Sequence, residues 1–521
     1  MYPNKLRMKR LLSLPLLLII FVNASAQDRK KAMELFETGN FEEAIDEYLP
    51  LYEEDKESLE FNYNLAVSYL NTNIDKSLAI PHLETLTKNP KIDANAWYLL
   101  GRAYHFGYQF DNAIAAYEKF RETNSGSEEN QADAIKQIEY CENAKELMKF
   151  PVRVKFENLG KSVNSPYADY FPFIPTNESF LIYNSKRDLS STEQPDGSYL
   201  PNIFMSQVKS GEYQKAQPLP GSINTPDGRE EVVGLNANGT RAIFYFEDYK
   251  QYGDLYECKM EGTTLREPSK LEKSVNSKYI EIAGCISQNG SKLYFASDRP
   301  GGYGGIDLYS CQLLPNGKWS LPTNLGPTIN TEFDEDFPNL SPDGKSLYFS
   351  SKGHTSMGGF DIFKTTWDPI KNKYSIVQNL GYPLNTPEDN MNFRVSESGK
   401  HGYISAVRKG GYGDLDIYRV DFMEIEPRYT VISGVISSDD NAKRFEDLFI
   451  QVTDLETEEV YGDYIPNEKS LRYVMILPPG KYDIYVGGIA GYEEIYDEIE
   501  ILDKSSFKSQ ISKDIQLKKA K

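Results

Sequence analysis

Between residues 150 and 425, short runs of alternating apolar and polar residues are punctuated by Asp-Gly or Asn-Gly, and the whole pattern returns five times. The fourth copy opens with Ile329-Asn330-Thr331 and the acidic stretch Asp334-Glu335-Asp336. It turns at Ser341-Pro342-Asp343-Gly344, resumes with Leu347-Tyr348-Phe349-Ser350-Ser351, and closes through Gly358-Gly359-Phe360 on Asp361-Ile362-Phe363. The third copy repeats this as Val275-Asn276, Asn289-Gly290, Leu293-Tyr294-Phe295 and Asp307-Leu308-Tyr309. The alternation predicts half-buried strands. The Asp-Gly and Asn-Gly pairs supply the positive φ angles of tight hairpins. The repeat asparagines stand at 164, 224, 276, 330 and 385, so successive spacings are 60, 52, 54 and 55 residues. A period of that length, with several short strands in each, predicts the blades of a β-propeller, five favoured and six as the alternative. Val152 to Gly160 has the look of a blade's tail strand, as in Leu321 to Gly326. Pairing such an N-terminal strand with the last blade would close the ring and remove its edges.

On either side the periodicity changes. Residues 27–149 carry apolar and small residues at helical spacing, most clearly Trp97, Leu100, Gly101, Tyr104, Ala113 and Tyr117. Gly101 and Ala113 let two helices approach, and the aromatics fill the gaps between them. Ala32, Gly39, Phe41, Ala44 and Tyr48 form an earlier copy, and Ala66, Tyr69 and Ala79 another. Glu128 to Met148 reads as a closing helix, so this region is expected to be a short α-solenoid. Residues 426–521 return to strand patterning, with Val431 to Ile436, a Pro478-Pro479-Gly480 turn and the alternating run Tyr482 to Val486, and predict a small β-sandwich. The fold class expected is multidomain α+β. At the start, Lys5, Arg7, Lys9 and Arg10 precede the apolar run Leu11 to Val22 and the small-residue site Ala24-Ser25-Ala26, which marks residues 1–26 as an export signal. Export implies the periplasm, and no later run is apolar enough to cross a bilayer.

Charge narrows the functional classes. With 77 acidic and 57 basic residues the net charge is −20, which argues against a nucleic-acid binder. The four cysteines, 141, 258, 285 and 311, match no zinc spacing and are expected to be buried thiols, with a disulfide as the alternative. None of His82, His105, His354 and His401 falls in a metal-ligand motif, and no nucleophile elbow is present. Gly301-Gly302-Tyr303-Gly304-Gly305 lacks the Lys-Ser/Thr of a phosphate loop and leads into a strand. No catalytic residue, cofactor or metal site is therefore expected. Two polar positions recur. Asp169, Glu230, Glu281, Glu335 and Asp389 each precede the first strand of a copy. If first strands line a central channel, these acids form a negative ring able to hold a cation or basic segment, or else they cap loops. Arg187, Arg299, Lys352 and Arg408 precede the Gly-rich loop and are expected to bond the Asp that opens the following strand, such as Asp307, Asp361 or Asp416.

The helical region resembles tetratricopeptide repeats, the central region the TolB-like propeller family, and the C-terminal region the carboxypeptidase regulatory-like domain. In that order, behind a signal peptide, the regions are similar to the PorE-like family of the type IX (Por) secretion and gliding system. That resemblance implies a non-enzymatic periplasmic scaffold that binds envelope proteins through its helical repeats and propeller. Members of this family normally add an OmpA-like peptidoglycan-binding domain. This chain stops at Lys521 without one, so wall contact is expected to be indirect. Two other readings are a propeller that binds a small ligand, glycan or cation, and, more remotely, a hydrolase that uses propeller carboxylates such as Glu335.

Overall fold

In the computed structural model the alternating runs become antiparallel sheets and the helical spacing becomes helices. The structure describes residues 27–520 except 126, 190–192, 227, 249–250, 424–428, 439–444, 446, 468–469 and 503–509. The export signal lies outside the described residues. Residues up to Met148 together with Val154–Phe422 form one compact unit, and Lys149–Arg153 with Met423–Lys521 form another. Helices and propeller belong to the same compact unit.

The helices are α1 (residues 27–37), α2 (Phe41–Glu54), α3 (Leu59–Leu70), α4 (Ile80–Thr87), α5 (Asn95–Phe106), α6 (Phe110–Glu122) and α7 (Glu128–Met148). Their apolar stripes share cores that include Ala44, Tyr48, Leu65, Ala66, Leu83 and Leu100. At Gly101 the side chain of Tyr117 from α6 packs directly against α5. A Cβ there would lie 2.6 Å from the Tyr117 ring, and Tyr117 and Ala113 are fully buried. Trp97 packs at the edge of the same core, and Tyr104 donates its hydroxyl hydrogen bond to Glu84 Oε1 at 2.6 Å. Among the described residues no helix is long and apolar enough to cross a membrane.

Five antiparallel sheets follow. Their first, second and third strands are Asp169–Phe173, Phe180–Ser185 and Asn202–Lys209 in blade 1, and Arg229–Leu235, Arg241–Asp248 and Gln251–Glu261 in blade 2. Blade 3 has Glu281–Ile286, Lys292–Ser297 and Asp307–Gln312, and blade 4 has Glu335–Leu340, Ser346–Ser351 and Asp361–Asp368. Blade 5 has only Arg394–Val395 as its first strand, then His401–Ala406 and Asp416–Phe422. Its outer strand is Val154–Asn158, paired Val154 to Phe422 through Asn158 to Tyr418, so the start of the propeller completes its last blade. The apolar clusters run between successive blades: Leu293, Phe295, Leu347 and Phe349 join blades 3 and 4, and Tyr183, Phe204, Tyr403 and Ile417 join blades 1 and 5. This is a β-propeller. Across its centre Phe171 of blade 1 meets Phe337 of blade 4 with ring centroids 4.2 Å apart.

In the C-terminal unit, Arg472–Leu477 and Thr430–Ser438 pair antiparallel, and Gln510–Ser512 and Ile515–Leu517 add in parallel. A second sheet runs Val460–Tyr464, Phe449–Asp454, Gly480–Gly487, Ile495–Ile501. Both sheets contribute to one core through Ile432, Ile436, Ile450, Val452, Ile484 and Val486. The Pro-Pro-Gly turn carries the chain from one sheet to the other.

Candidate functional site

The repeat asparagines hold each blade to the next. Asn276 accepts from the Leu255 N–H at 2.8 Å and donates to the Leu255 and Leu271 carbonyls at 2.9 Å each. Asn224 bridges Ile203, Asn330 bridges Leu308, Asn385 bridges Ile362, and Asn164 bridges Ile417 in the same manner. Each amide thus matches one exposed N–H and C=O pair on the third strand of the preceding blade, and Asn164 does so across the ring closure.

The recurring acids serve the same turn. Ser165 donates its N–H and hydroxyl to Asp169, Ser277 to Glu281, and Thr331 to Glu335, at 2.6–2.9 Å. Thr225 donates its hydroxyl to Glu230 at 2.5 Å. In blade 5 this place belongs to Asn390, which accepts the Thr386 N–H at 2.6 Å. Asp389 is one residue out of register. It matches Asp334, accepting the Phe360 N–H at 2.8 Å as Asp334 accepts that of Ile306 at 3.0 Å. The five acids therefore do not converge on one point: four are buried in their own turns and Asp389 is exposed. Burial raises the pKa of Asp169 and Glu230, and takes Glu335 to about 7.

The basic residues take partners other than those expected. Arg187 pairs with Asp169 and Arg299 with Glu281, both at 2.9 Å, and Lys352 pairs with Asp334 at 2.9 Å. Arg408 instead donates to the Pro383 carbonyl and lies over the Phe156 ring. The strand-opening Asp residues collect backbone N–H groups of the Gly-rich loop: Tyr303 and Gly304 donate to Asp307, Met357 to Asp361, and Tyr412 to Asp416. A tight loop exposes several N–H groups at once, and a nearby carboxylate satisfies them better than a distant guanidinium would. Burial pushes Asp361 up to about 8 and Asp336, on the first strand of the same blade, to about 7.

A concavity lies where the helices meet the propeller. His105 of α5 donates from Nε2 to the Met357 carbonyl at 2.8 Å, and burial lowers its pKa to about 4, which keeps the ring neutral. Asn143 of α7 donates to the Ser356 carbonyl at 2.9 Å, and the Tyr140 hydroxyl to the Lys352 carbonyl. Met357 is fully buried among side chains of α5, α6 and α7. Lys76 pairs with Glu388 at 2.5 Å, and Asn73 donates to Asp414. Between these contacts remains a cavity of about 610 Å³. Its helical wall includes Lys76, Arg102, His105 and Phe106; its propeller wall includes Phe171, Tyr382, Glu388, Asp389, Asn390 and Met391. Both charge signs line it, and its apolar surface mixes aromatic and aliphatic side chains. Such a site can hold a side chain or small polar molecule. Among the described residues no three His, Cys, Asp or Glu are placed to share a metal ion. All four cysteines are buried free thiols.

Of the sequence-nominated acids, only Asp389 reaches this cavity. The helix-to-propeller contacts were not nominated from sequence. Their partners lie more than 200 residues apart, and nothing in local periodicity couples them.

No family model matches the sequence, and no curated protein does. Among solved structures, the chain is similar to TolB from Acinetobacter baumannii at 14% identity and a TM-score of 0.32, over 60% of this chain and 70% of that one. It is similar to a B. subtilis levansucrase mutant at 10% identity and a TM-score of 0.38, over 56% and 92% of the two chains. An alpha-L-arabinofuranosidase from Lactobacillus brevis is similar at 11% identity and a TM-score of 0.30, over 49% and 90%.

Proposed function

We propose that this protein is a non-enzymatic scaffold of the bacterial cell envelope, related to the type IX secretion machinery, with tetratricopeptide-type helices and the propeller acting together as one protein-binding platform. The observation that carries this reading is the union of helices and propeller in one compact unit. The helices are fixed to loops of blades 4 and 5 by Lys76, His105, Tyr140 and Asn143. Two binding surfaces held at fixed separation raise the effective concentration of one partner near the other without new chemistry. The helical surface that meets the propeller is occupied, so partners dock on what remains free, which includes Leu59 and Tyr63 of α3, exposed one helical turn apart. The C-terminal unit, carboxypeptidase regulatory-like in its turn pattern, is a spacer in this scheme. The periplasm is the location the export signal supports.

The test is affinity purification of the tagged protein from gently solubilised envelopes of its host, read by mass spectrometry, beside a form lacking residues 27–149 and a Tyr63→Asp form. Stoichiometric envelope proteins lost from both altered forms are expected. A protein recovered alone from all three samples ends the scaffold reading.

A second reading rests on the 610 Å³ cavity: a small ligand held between helices and propeller. It predicts ligand-dependent thermal stabilisation that disappears in a Lys76→Ala, Asp389→Ala form.

A further inference from the structure

Every blade of the propeller joins its first and second strands by the same four-residue turn. The third and fourth positions of that turn are Asn177-Glu178, Asn238-Gly239, Asn289-Gly290, Asp343-Gly344 and Ser398-Gly399. The last residue of each has a positive φ: 49° at Glu178, and 71°, 71°, 72° and 69° at the four glycines. Each donates its N–H three residues back, Glu178 to Pro175 at 2.9 Å and Gly399 to Ser396 at 3.1 Å. A side chain at this position is disfavoured, because a Cβ crowds the backbone in the left-handed region. Four copies obey that rule and blade 1 breaks it.

The carboxylate of Glu178 reaches the neighbouring blade. Its Oε1 lies 2.7 Å from His401 Nε2, and its Oε2 accepts the Tyr403 hydroxyl at 3.1 Å. Tyr213 of blade 1 donates to the Tyr403 oxygen at 3.2 Å. His401 and Tyr403 lie on the second strand of blade 5, and this is where the ring closes. At the seam between blades 2 and 3 the residue matching His401 is Arg241, and it donates to the backbone carbonyl of Gly290 at 3.2 Å. There a glycine turn suffices: the chain runs unbroken from the third strand of blade 2 through that blade's own outer strands into blade 3. At the closing seam the chain also runs on, from Val154–Asn158 into blade 1, but that outer strand is joined to the third strand of blade 5 by backbone pairing, with no covalent link between them. Blade 5 also has the shortest inner strand, Arg394–Val395, against Glu335–Leu340 in blade 4, and so has the least sheet to hold it in place.

We propose that Glu178 is a clasp for ring closure: the turn accepts a strained residue so that its carboxylate can hold blade 5 against blade 1, and this contact sets how readily the propeller opens at that seam. The clasp works beside Asn164 and the strand Val154–Asn158, and it is the member of the three that departs from the repeat.

Hydrogen exchange on the full chain tests this, read by mass spectrometry for Glu178→Gly and Glu178→Gln. Glycine relieves the left-handed residue and removes the clasp. The expected result is exchange about five-fold faster or more in 401–406 and 154–158, with 346–351 of blade 4 unchanged. Glutamine keeps the backbone and the side-chain length but loses the charge, and part of the same rise is expected at the same segments. Slower or unchanged exchange at the seam in the glycine form would overturn the proposal, because relief of strain would then be the whole effect. A rise shared by all blades would overturn it too. A glutamine form indistinguishable from the parent would remove the charge from the argument.

Discussion

Single residues show how burial sets their chemistry. Asp336 sits fully buried beside Phe337, accepts that residue's N–H at 2.7 Å, and has its pKa pushed up to about 7 by loss of water. Glu335 and Asp361 are raised in the same sense, to about 7 and about 8. A carboxyl group whose folded pKa lies above its unfolded value binds its proton more tightly when folded. Its contribution is present at low pH and lost as pH rises through the folded value. His105 has the opposite sign: its pKa is lowered from 6.5 to about 4, so its contribution is lost as pH falls through that window. Between about pH 4 and 6.5 the three raised carboxyls outweigh the one histidine, so melting temperature is expected to be highest near about pH 4 and to fall as pH rises toward about 8. Asp336→Asn should flatten the alkaline limb by a few degrees. Calorimetry of both forms across pH checks this, and parallel alkaline limbs would contradict it.

At the scale of the element, the repeat asparagine matters more than any strand propensity. Asn276 satisfies one N–H and two carbonyl groups while itself buried between two blades. Removing it leaves those groups unpaired, so Asn276→Ala is expected to cost about 2–4 kcal/mol. The denaturant midpoint of the propeller unit is the measurement, and a change under about 0.5 kcal/mol would be that of an ordinary surface site. Much of the blade was legible in the sequence, because its hairpins depend on near neighbours. Asp343-Gly344 makes a turn wherever it lies, and Leu347-Tyr348-Phe349 alternates whatever it packs against. The acids were legible as a recurrence but not as a register. Asp389 and Asn390 are adjacent, and only the turn geometry shows that Asn390 stands where Asp169, Glu281 and Glu335 stand. The basic residues were legible as partners of acids, yet the acid chosen by Arg187 and Arg299 was the one opening the first strand rather than the one opening the third.

At the scale of the molecule, the helices and propeller behave as one body because their contacts are specific and distributed. Lys76 is buried and Glu388 nearly half exposed, so their pair is worth about 1 kcal/mol after solvent screening. Lys76→Glu sets two carboxylates against each other and should loosen the helices from blade 5. Adding Glu388→Lys should restore the contact. Hydrogen exchange in Asn95–Phe106 reads both: it should rise in the single form and return toward the parent in the double form. A double form as fast as the single one would show that this pair does not hold the interface.

The sequence by itself determined the order of helical, propeller and β-sandwich segments, the hairpins and the blade period. These follow from side-chain periodicity and turn chemistry, which act over a few residues and repeat. Tertiary structure alone decided which polar groups meet. It brought Phe171 against Phe337, seated Met357 among the helices, and drew Glu178 to His401. Those pairings join residues far apart in the chain, and their energies depend on desolvation and geometry that exist only once the ring has closed.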